Sequence, residues 1–249
     1  KEEIEGISEK IAEHLFVMFI VPLALYTAIV SEFALTSTPP SSFLLIVYLG
    51  AAVGTAVVFS LKIFRLMHTR THYRLGYDCE LMVGQGLHSL LAEGFRVFHD
   101  FPGDGFNIDH IAIGPTGVFA IETKGRAKSS KAENRNWEVR YDGRQLAFPG
   151  WTETRPITQA VDQARWLRTW LCQATGSETP VEPVLAVPGW YIKRTGPGGP
   201  RVYNGKNPTP LARGAQLLSD EQIQAIAFQV ERQCRTVATT AYQTDTAKK

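Results

Sequence analysis

The stretch that decides the fold is GFNIDHIAIGPTGVFAIETKG, residues 105–125. Its residues 108–113 and 118–123 alternate in the way that is typical of β-strands. Between them lies the turn sequence Gly114-Pro115-Thr116-Gly117. The stretch therefore predicts two strands joined by a tight turn.

The acidic and basic residues of this stretch are predicted to lie on one face. Side chains two residues apart on a strand share a face, so Glu122 and Lys124 project side by side. If the turn at 114–117 has two central residues, Asp109 lies directly opposite Glu122, about 5 Å away. A bulge at Gly117 would instead shift the pairing by one residue and move Asp109 to the other face.

Such a carboxylate pair favours a metal site. Two neighbouring carboxylates repel each other and lose solvation, and a bound divalent cation offsets both effects. Oxygen ligands select Mg²⁺ or Mn²⁺. Lys124 is then suited to assist proton removal from water or to stabilise negative charge on a phosphate. The alternative is a cross-strand salt-bridge cluster at the sheet edge, which the spacing predicts equally well.

Two further polar residues are candidates for the same site. Glu80 falls in a predicted helix, residues 77–92, and is expected on its core-facing stripe. That stripe comprises Val83, Gly84, Leu87 and Leu91. Glu80 has an alternative role as an acidic residue near a helix N-terminus. Gln159, in the first turn of a predicted helix at 157–173, has the alternative of simply solvating that helix end.

These residues carry a family resemblance. Residues 77–235 resemble the nuclease-related domain (NERD) family of the PD-(D/E)xK nuclease superfamily. The resemblance lies in the order of Glu80, FHDF, NIDHIAIGPTGVFAIETKG and PITQA. The resemblance implies that Asp109, Glu122 and Lys124 are catalytic, that Glu80 is the first-helix glutamate and that Gln159 belongs to the QA motif. In this set Asp109, Glu122 and Glu80 would be the metal ligands.

The resemblance also implies a reaction. It implies Mg²⁺- or Mn²⁺-dependent hydrolysis of phosphodiester bonds in nucleic acid, DNA in particular, in DNA processing or defence. Two segments depart from the family pattern: WTETRPITQA at 151–160, and the long Gly/Pro loop near Gly196. Both departures concern the rim where substrate would bind more than the metal site.

The order of the predicted elements gives a three-layer α/β domain. The family resemblance implies that this domain has a restriction-endonuclease-like core, in which a mixed central sheet is flanked by helices. A hairpin is expected around Asp142-Gly143. The other predicted elements are a strand at 94–101, a strand at 181–192, a loop at 195–210 and a last helix at 220–235, followed by a disordered polar tail.

Two uncharged apolar stretches, residues 15–31 and 43–61, precede this domain. Each is long enough to cross a bilayer as a helix, so together they predict a transmembrane hairpin. Buried core helices are the alternative. A cleaved signal peptide is disfavoured because the leading segment is acidic. The predicted domains are 1–14 cytoplasmic, 15–61 hairpin, 62–76 basic linker, 77–236 nuclease-like and 237–249 tail.

The distribution of positive charge predicts the topology. The turn at 32–42 has no Lys or Arg, whereas Lys62, Arg65, Arg70 and Arg74 follow the second apolar stretch. Positive residues stay on the cytoplasmic side, so both termini and the large domain are expected in the cytoplasm, at the bacterial inner membrane.

The chain after residue 61 has a mild excess of positive charge, which is compatible with a polyanionic partner. Residues 1–61 contain two of the 26 Lys and Arg but six of the 24 Asp and Glu, which leaves the rest of the chain basic. The residues expected to contact nucleic acid are Arg126, Lys128, Lys131, Arg135, Arg140 and Arg144. A solvated charged loop is the alternative. Trp137, Trp166 and Trp170 suit core packing better than stacking on bases.

Other chemistries find no support. The three cysteines, Cys79, Cys172 and Cys234, lack metal or redox spacing. His99 and His110 are expected to be structural, and no GxSxG, Walker A or GxGxxG motif occurs. Two hypotheses remain: a membrane-tethered metal-dependent nuclease, and a membrane-anchored nucleic-acid-binding or assembly module without catalysis.

Overall fold

The computed structural model describes residues 2–128 and 137–246, with the side chains of 236–246 left out. The chain divides into two compact units between Tyr77 and Asp78. The helix α2 runs through this boundary.

The first unit is a pair of long helices, α1 Glu2–Thr36 and the larger part of α2 Ser42–Leu87. They run antiparallel, because Arg70 Nε donates to Ser8 Oγ (2.9 Å) while Ser60 Oγ approaches Met18 Sδ (3.6 Å). Both helices are long and apolar enough to cross a membrane, by length and composition. The predicted linker at 62–76 is helical and continuous with the second apolar stretch.

The second unit contains two sheets and the remaining helices. The five-stranded sheet has the order β1-β2-β3-β7-β9, and the four-stranded sheet has the order β6-β5-β4-β8. Their strands are β1 Arg96–Pro102, β2 Asn107–Gly114, β3 Gly117–Thr123, β4 Glu138–Tyr141, β5 Leu146–Phe148, β6 Trp151–Glu153, β7 Val181–Ala186, β8 Tyr191–Arg194 and β9 Arg201–Tyr203. The helices are α3 Arg155–Thr175 and α4 Asp220–Thr246, with 3₁₀ helices at His88–Glu93 and Thr209–Leu211.

The central hairpin has the predicted register. β2 and β3 are antiparallel, with Gly114 opposite Gly117 and His110 opposite Ile121. Gly117 has a φ of 130°, a conformation that side-chain-bearing residues avoid, so glycine suits the end of this turn. β3 then pairs in parallel with β7, which makes the large sheet mixed, as expected.

Helices cover both faces of the large sheet. On one face Ile111 and Ala120 pack against α3 and α4, through Leu167 and Ile226 among others. On the other face Ala112, Phe119 and Ile121 pack against Val83 and Leu87 of α2. Each fully buried Leu or Ile contributes about 1.5–3 kcal/mol. The mixed α/β architecture fits a nuclease-like fold.

The predicted strand at 181–192 is two strands in different sheets. β7 belongs to the large sheet and β8 to the small one, because Pro188-Gly189 interrupts them, with Gly189 at a φ of 82°. The predicted loop at 195–210 also contains a strand, β9, which pairs in parallel with β7. The hairpin around Asp142-Gly143 is confirmed, since Tyr141 pairs with Leu146.

Three helix boundaries differ from the predictions. α2 ends at Leu87 and continues as a 3₁₀ helix, whose tighter spacing buries Leu90 and leaves the predicted Leu91 52% exposed. α3 begins at Arg155, so Gln159 lies in its second turn and not its first. α4 continues to Thr246, so the backbone of the predicted disordered tail is helical up to that residue.

Candidate active site

The candidate site forms where β2 and β3 separate. Their pairing ends at His110 and Ile121, whereas β3 continues beside β7 to Thr123. At this point the backbone N–H of Thr123 donates to Asp109 Oδ2 over 2.6 Å. One further step of the same register would set Asp109 opposite Glu122, and both carboxylates line one cleft together with residues of α3 and α4.

Glu122 is buried, with 2% of its surface exposed. Its Oε1 forms an ion pair with Lys124 Nζ, and its buried Oε2 has no hydrogen-bond partner among the residues that the structure describes. Lys124 is 26% exposed, so the ammonium lies between the buried carboxylate and solvent. An unpartnered buried carboxylate oxygen is costly, which indicates that a further cation or donor completes this site.

The electrostatics of Asp109 point the same way. Burial and the nearby Glu122 raise the pKa of Asp109 from 3.8 to about 8, although the Thr123 N–H opposes that rise. The pair therefore resists carrying two negative charges in its present surroundings. A positive charge between the carboxylates would relieve this repulsion.

Both carboxylates open into a cleft of about 850 Å³, here called the carboxylate cleft. Its lining residues are Pro102, Gly103, Asp104, Gly105, Phe106, Asn107, Asp109, Glu122, Lys124, Gln159, Trp166, Trp170 and Gln233. α3 supplies Gln159, so four of the five candidate catalytic residues meet in one cleft. Sequence reasoning missed the cleft role of Asp104, which accepts a hydrogen bond from Trp166 Nε1 (3.3 Å).

Glu80 is the fifth candidate, and it is not among the residues that line the cleft. It belongs to α2, which packs on the opposite face of the sheet, and it is half-buried. Burial, Asp100 and Glu122 raise its pKa. Glu80 is therefore electrostatically coupled to the site without reaching into the cleft.

The donors present suit a hard divalent cation. Mg²⁺ in phosphoryl-transfer sites is commonly held by one or two carboxylates, with water and substrate phosphate as the other ligands. Asp109 and Glu122 provide two carboxylates, and Glu122 Oε2, which has no partner within the described part of the chain, provides a ligand atom. Within residues 2–128 and 137–246, no group of three His, Cys, Asp or Glu is arranged to hold a metal ion. The residues fit a two-carboxylate site.

The candidate nucleic-acid-binding residues differ in their contacts: two are ion-paired, two are exposed, and two are not described by the structure. Arg126 makes a bidentate ion pair with Glu153, at 2.6 to 3.0 Å, and both line a second depression that shares Lys124 and Gln159 with the cleft. Arg140 pairs with Glu138 at 3.2 Å. Lys128 and Arg144 are exposed. Lys131 and Arg135 lie outside the described residues.

A histidine pair lies on the other face of the sheet. His99 Nδ1 and His110 Nδ1 are 2.8 Å apart on neighbouring strands, and Gly84 of α2 packs against both rings. Burial lowers the pKa of both, that of His110 to about 4. This packing agrees with a structural role, although the sequence did not predict their contact.

The comparison with known families concerns this same region. Residues 75–188 match the family model described as NERD, nuclease-related domain. The match includes Glu80, the hairpin with its two carboxylates, and Gln159, and it ends before β8. It supports a nuclease-related domain for this part of the chain. No curated protein and no solved structure shows significant similarity to the sequence.

Proposed function

We propose that the chain is a membrane-tethered nuclease that hydrolyses phosphodiester bonds of nucleic acid, DNA in the first place, with a divalent metal ion. The observation that carries this proposal is the carboxylate pair of buried Glu122 and half-buried Asp109, which opens with Lys124 and Gln159 into one cleft. The nuclease-related match over residues 75–188 supports the same reaction class.

Asp109 and Glu122 are the residues that would hold Mg²⁺ or Mn²⁺, with Glu80 acting on them from a distance. At these two carboxylates a divalent cation would supply Lewis-acid chemistry, that is, polarisation of the phosphate and activation of water. It would also remove the repulsion that raises the pKa of Asp109. The hydrogen bond from the Thr123 N–H orients the Asp109 carboxylate toward the cleft side of the strand.

Lys124 and Gln159 act on the substrate side of the cleft. The Lys124 ammonium lies beside Glu122 and faces solvent, where it can stabilise negative charge that develops on a phosphate oxygen. The Gln159 side chain projects from α3 into the same cleft, and its amide can hold a water or a phosphate oxygen by hydrogen bonding. A module that only binds nucleic acid has no need of a lysine paired with a buried carboxylate.

The tether is supported by the surface of the first unit. Large apolar side chains on α1 and α2 are exposed, Phe16, Phe19, Ile46 and Leu49 among them, each by 66% or more. Soluble monomers rarely expose apolar surface of this extent. A lipid bilayer around residues 15–61 would cover it, with the basic residues beyond Leu61 on the cytoplasmic side.

The test is incubation of the purified full chain, in detergent, with labelled DNA and RNA in Mg²⁺, Mn²⁺ or EDTA. Cleavage of either polymer in a metal and not in EDTA supports the nuclease. Binding without cleavage in every metal would favour the alternative, a membrane-anchored nucleic-acid-binding or assembly module. The DNA and RNA arms separate the two polymer classes.

A further inference from the structure

A depression of about 560 Å³, lined mainly by α3, lies beside the carboxylate cleft. Its volume is within the range of small-molecule binding sites. Positions 155, 159, 163 and 166 of α3 follow one another at intervals of three or four residues, so their side chains share one face of the helix. The residues that define this surface, here called the aromatic depression, are Phe106, Arg155, Gln159, Asp162, Gln163 and Trp166.

The aromatic depression adjoins the carboxylate cleft directly. Phe106, Gln159 and Trp166 line both of them. A phosphodiester held at Asp109 and Glu122 would therefore have its neighbouring nucleotide within reach of this second surface. Whatever binds here is expected to be the part of the substrate that flanks the scissile bond.

The aromatic surface of the depression is held in place by its neighbours. Phe106 and Trp166 are half-buried and make an edge-to-face contact, with 5.2 Å between the ring centres. Phe106 belongs to the turn between β1 and β2, where the N–H of Gly103 donates to the Phe106 carbonyl at 2.8 Å. The Gly103 backbone lies against the Phe106 ring, since a Cβ added at residue 103 would lie 2.8 Å from its Cζ. Ordered aromatic rings of this kind are the surfaces on which nucleobases stack.

Gln163 adds a hydrogen-bond acceptor to this surface. It is only 3% exposed, and its Nε2 donates to the backbone carbonyl of Asn107 at 3.1 Å, which assigns the orientation of the amide. Its buried Oε1 has no hydrogen-bond partner within residues 2–128 and 137–246. Buried amide oxygens are normally satisfied, so this one marks a position where a donor belongs. Each of the four nucleobases carries N–H groups that can fill it.

Arg155 supplies positive charge at the start of the same helix face. It lies eight residues before Gln163, about 12 Å along the helix axis. It is exposed and forms no ion pair among the described residues. The acidic residue of the depression, Asp162, is paired with Arg165 at 2.7 Å, which offsets its charge. Arg155 is therefore suited to a phosphate of the nucleotide whose base lies near Gln163.

We propose that the aromatic depression binds one unpaired nucleotide next to the scissile phosphodiester, with its base against Phe106, a base N–H on Gln163 and a phosphate at Arg155. A base within a duplex is stacked between its neighbours, so this nucleotide has to be single-stranded or turned out of the stack. The inference rests on the proposed function for the cleft. It deepens that function by making an unpaired base part of what the site recognises.

The experiment measures binding in EDTA, so that its result is independent of cleavage. Full-length protein in detergent is titrated with three fluorescent ligands of equal length: an oligo-dT strand, an abasic strand that keeps the sugar–phosphate backbone, and a blunt duplex. Wild type is expected to bind the oligo-dT strand most tightly. Phe106→Ala and Phe106→Leu should each raise the Kd for oligo-dT about tenfold and leave the Kd for the abasic strand and the duplex unchanged.

Further variants separate the contributions of the other residues. Gln163→Met should raise the Kd for oligo-dT about threefold and leave that for the abasic strand unchanged, because only a base supplies the N–H. Arg155→Gln should weaken binding of both single strands and lower the salt slope by about one. Phe228→Ala removes an exposed aromatic residue of α4 outside the depression and should leave every affinity unchanged.

Unchanged oligo-dT affinity in both Phe106 variants, or an equal loss for the abasic strand in Phe106→Leu, would overturn the proposal. Failure of the nuclease itself would instead appear as intact base-dependent binding without cleavage in any metal.

Discussion

Asp109 accepts a hydrogen bond from the backbone N–H of Thr123 at the point where their two strands part. The next N–H along β3, that of Lys124, donates to Ala186 on the opposite side of the strand. The Asp109 side chain therefore takes the place of a backbone acceptor that a continued β2–β3 ladder would supply. This substitution leaves the half-buried Asp109 carboxylate in the cleft that Glu122 also lines.

Metal binding is the first consequence that can be tested. Asp109→Asn should weaken Mn²⁺ binding by more than about tenfold, and Glu80→Gln by less, because Glu80 acts from outside the cleft. Isothermal titration of the full chain in detergent measures both. Asp162→Asn, an exposed carboxylate on α3, is the matched control. Equal and negligible effects of Asp109→Asn and Glu80→Gln would favour a plain salt-bridge cluster.

The stability of the metal-free protein should fall as pH rises toward 8. The folded state keeps a proton on Asp109 that the unfolded chain releases above its ordinary pKa of 3.8, so this contribution disappears as pH rises through about 8. His110 acts in the opposite sense, but only below its ordinary pKa of 6.5. Between pH 6.5 and 8 the effect of Asp109 should therefore be visible.

The effect of Asp109 on stability is measured as the thermal unfolding midpoint in EDTA. Tryptophan fluorescence is the signal, because all five tryptophans lie in the second unit and report on its unfolding. Wild type should lose stability from pH 6.5 to 8.5, whereas Asp109→Asn should lose less and exceed wild type at pH 8.5. Asp162→Asn should behave as wild type. A midpoint for Asp109→Asn that falls as steeply as that of wild type would show that another group causes the pH dependence.

The topology can be measured by labelling in intact cells. Ser37 lies between α1 and α2, and a cysteine placed there should react with a membrane-impermeant maleimide if the turn faces outward. The native Cys172, which is exposed on the large domain, should react only after permeabilisation and is the internal control. Labelling of Cys172 in intact cells would reverse the orientation and remove cytoplasmic DNA as the substrate.

The sequence predicted the central hairpin because local rules determine it. Two strands of matched length, two glycines and a two-residue turn specify the register, which the structure shows from Gly114 opposite Gly117 to His110 opposite Ile121. It did not predict that 181–192 forms strands of two sheets, because both segments are apolar and only Pro188-Gly189 separates them. The parallel strand β9 depends on long-range pairing, which has no local signature.

The site was predictable in composition and only partly in arrangement. Strand periodicity brought Glu122 and Lys124 to one face, but no local pattern shows that Arg126 would be neutralised by Glu153, a residue 27 positions away. Helical periodicity predicted that α2 packs on the sheet through Val83 and Leu87, which the structure confirms, but it did not show which face of the sheet α2 covers. Such facts depend on how the layers assemble, and the sequence pattern within one element does not contain them.

Cleavage by a single carboxylate variant tests the central claim most directly. Wild type and Glu122→Gln are compared on DNA in Mn²⁺, with Glu182→Gln on β7 as a charge-matched control at a half-exposed position outside the cleft. We expect cleavage by wild type and by Glu182→Gln, and a loss of at least about 10²-fold in Glu122→Gln, while the tryptophan fluorescence of the folded domain is retained. Normal cleavage by Glu122→Gln would contradict a catalytic site at the end of β3.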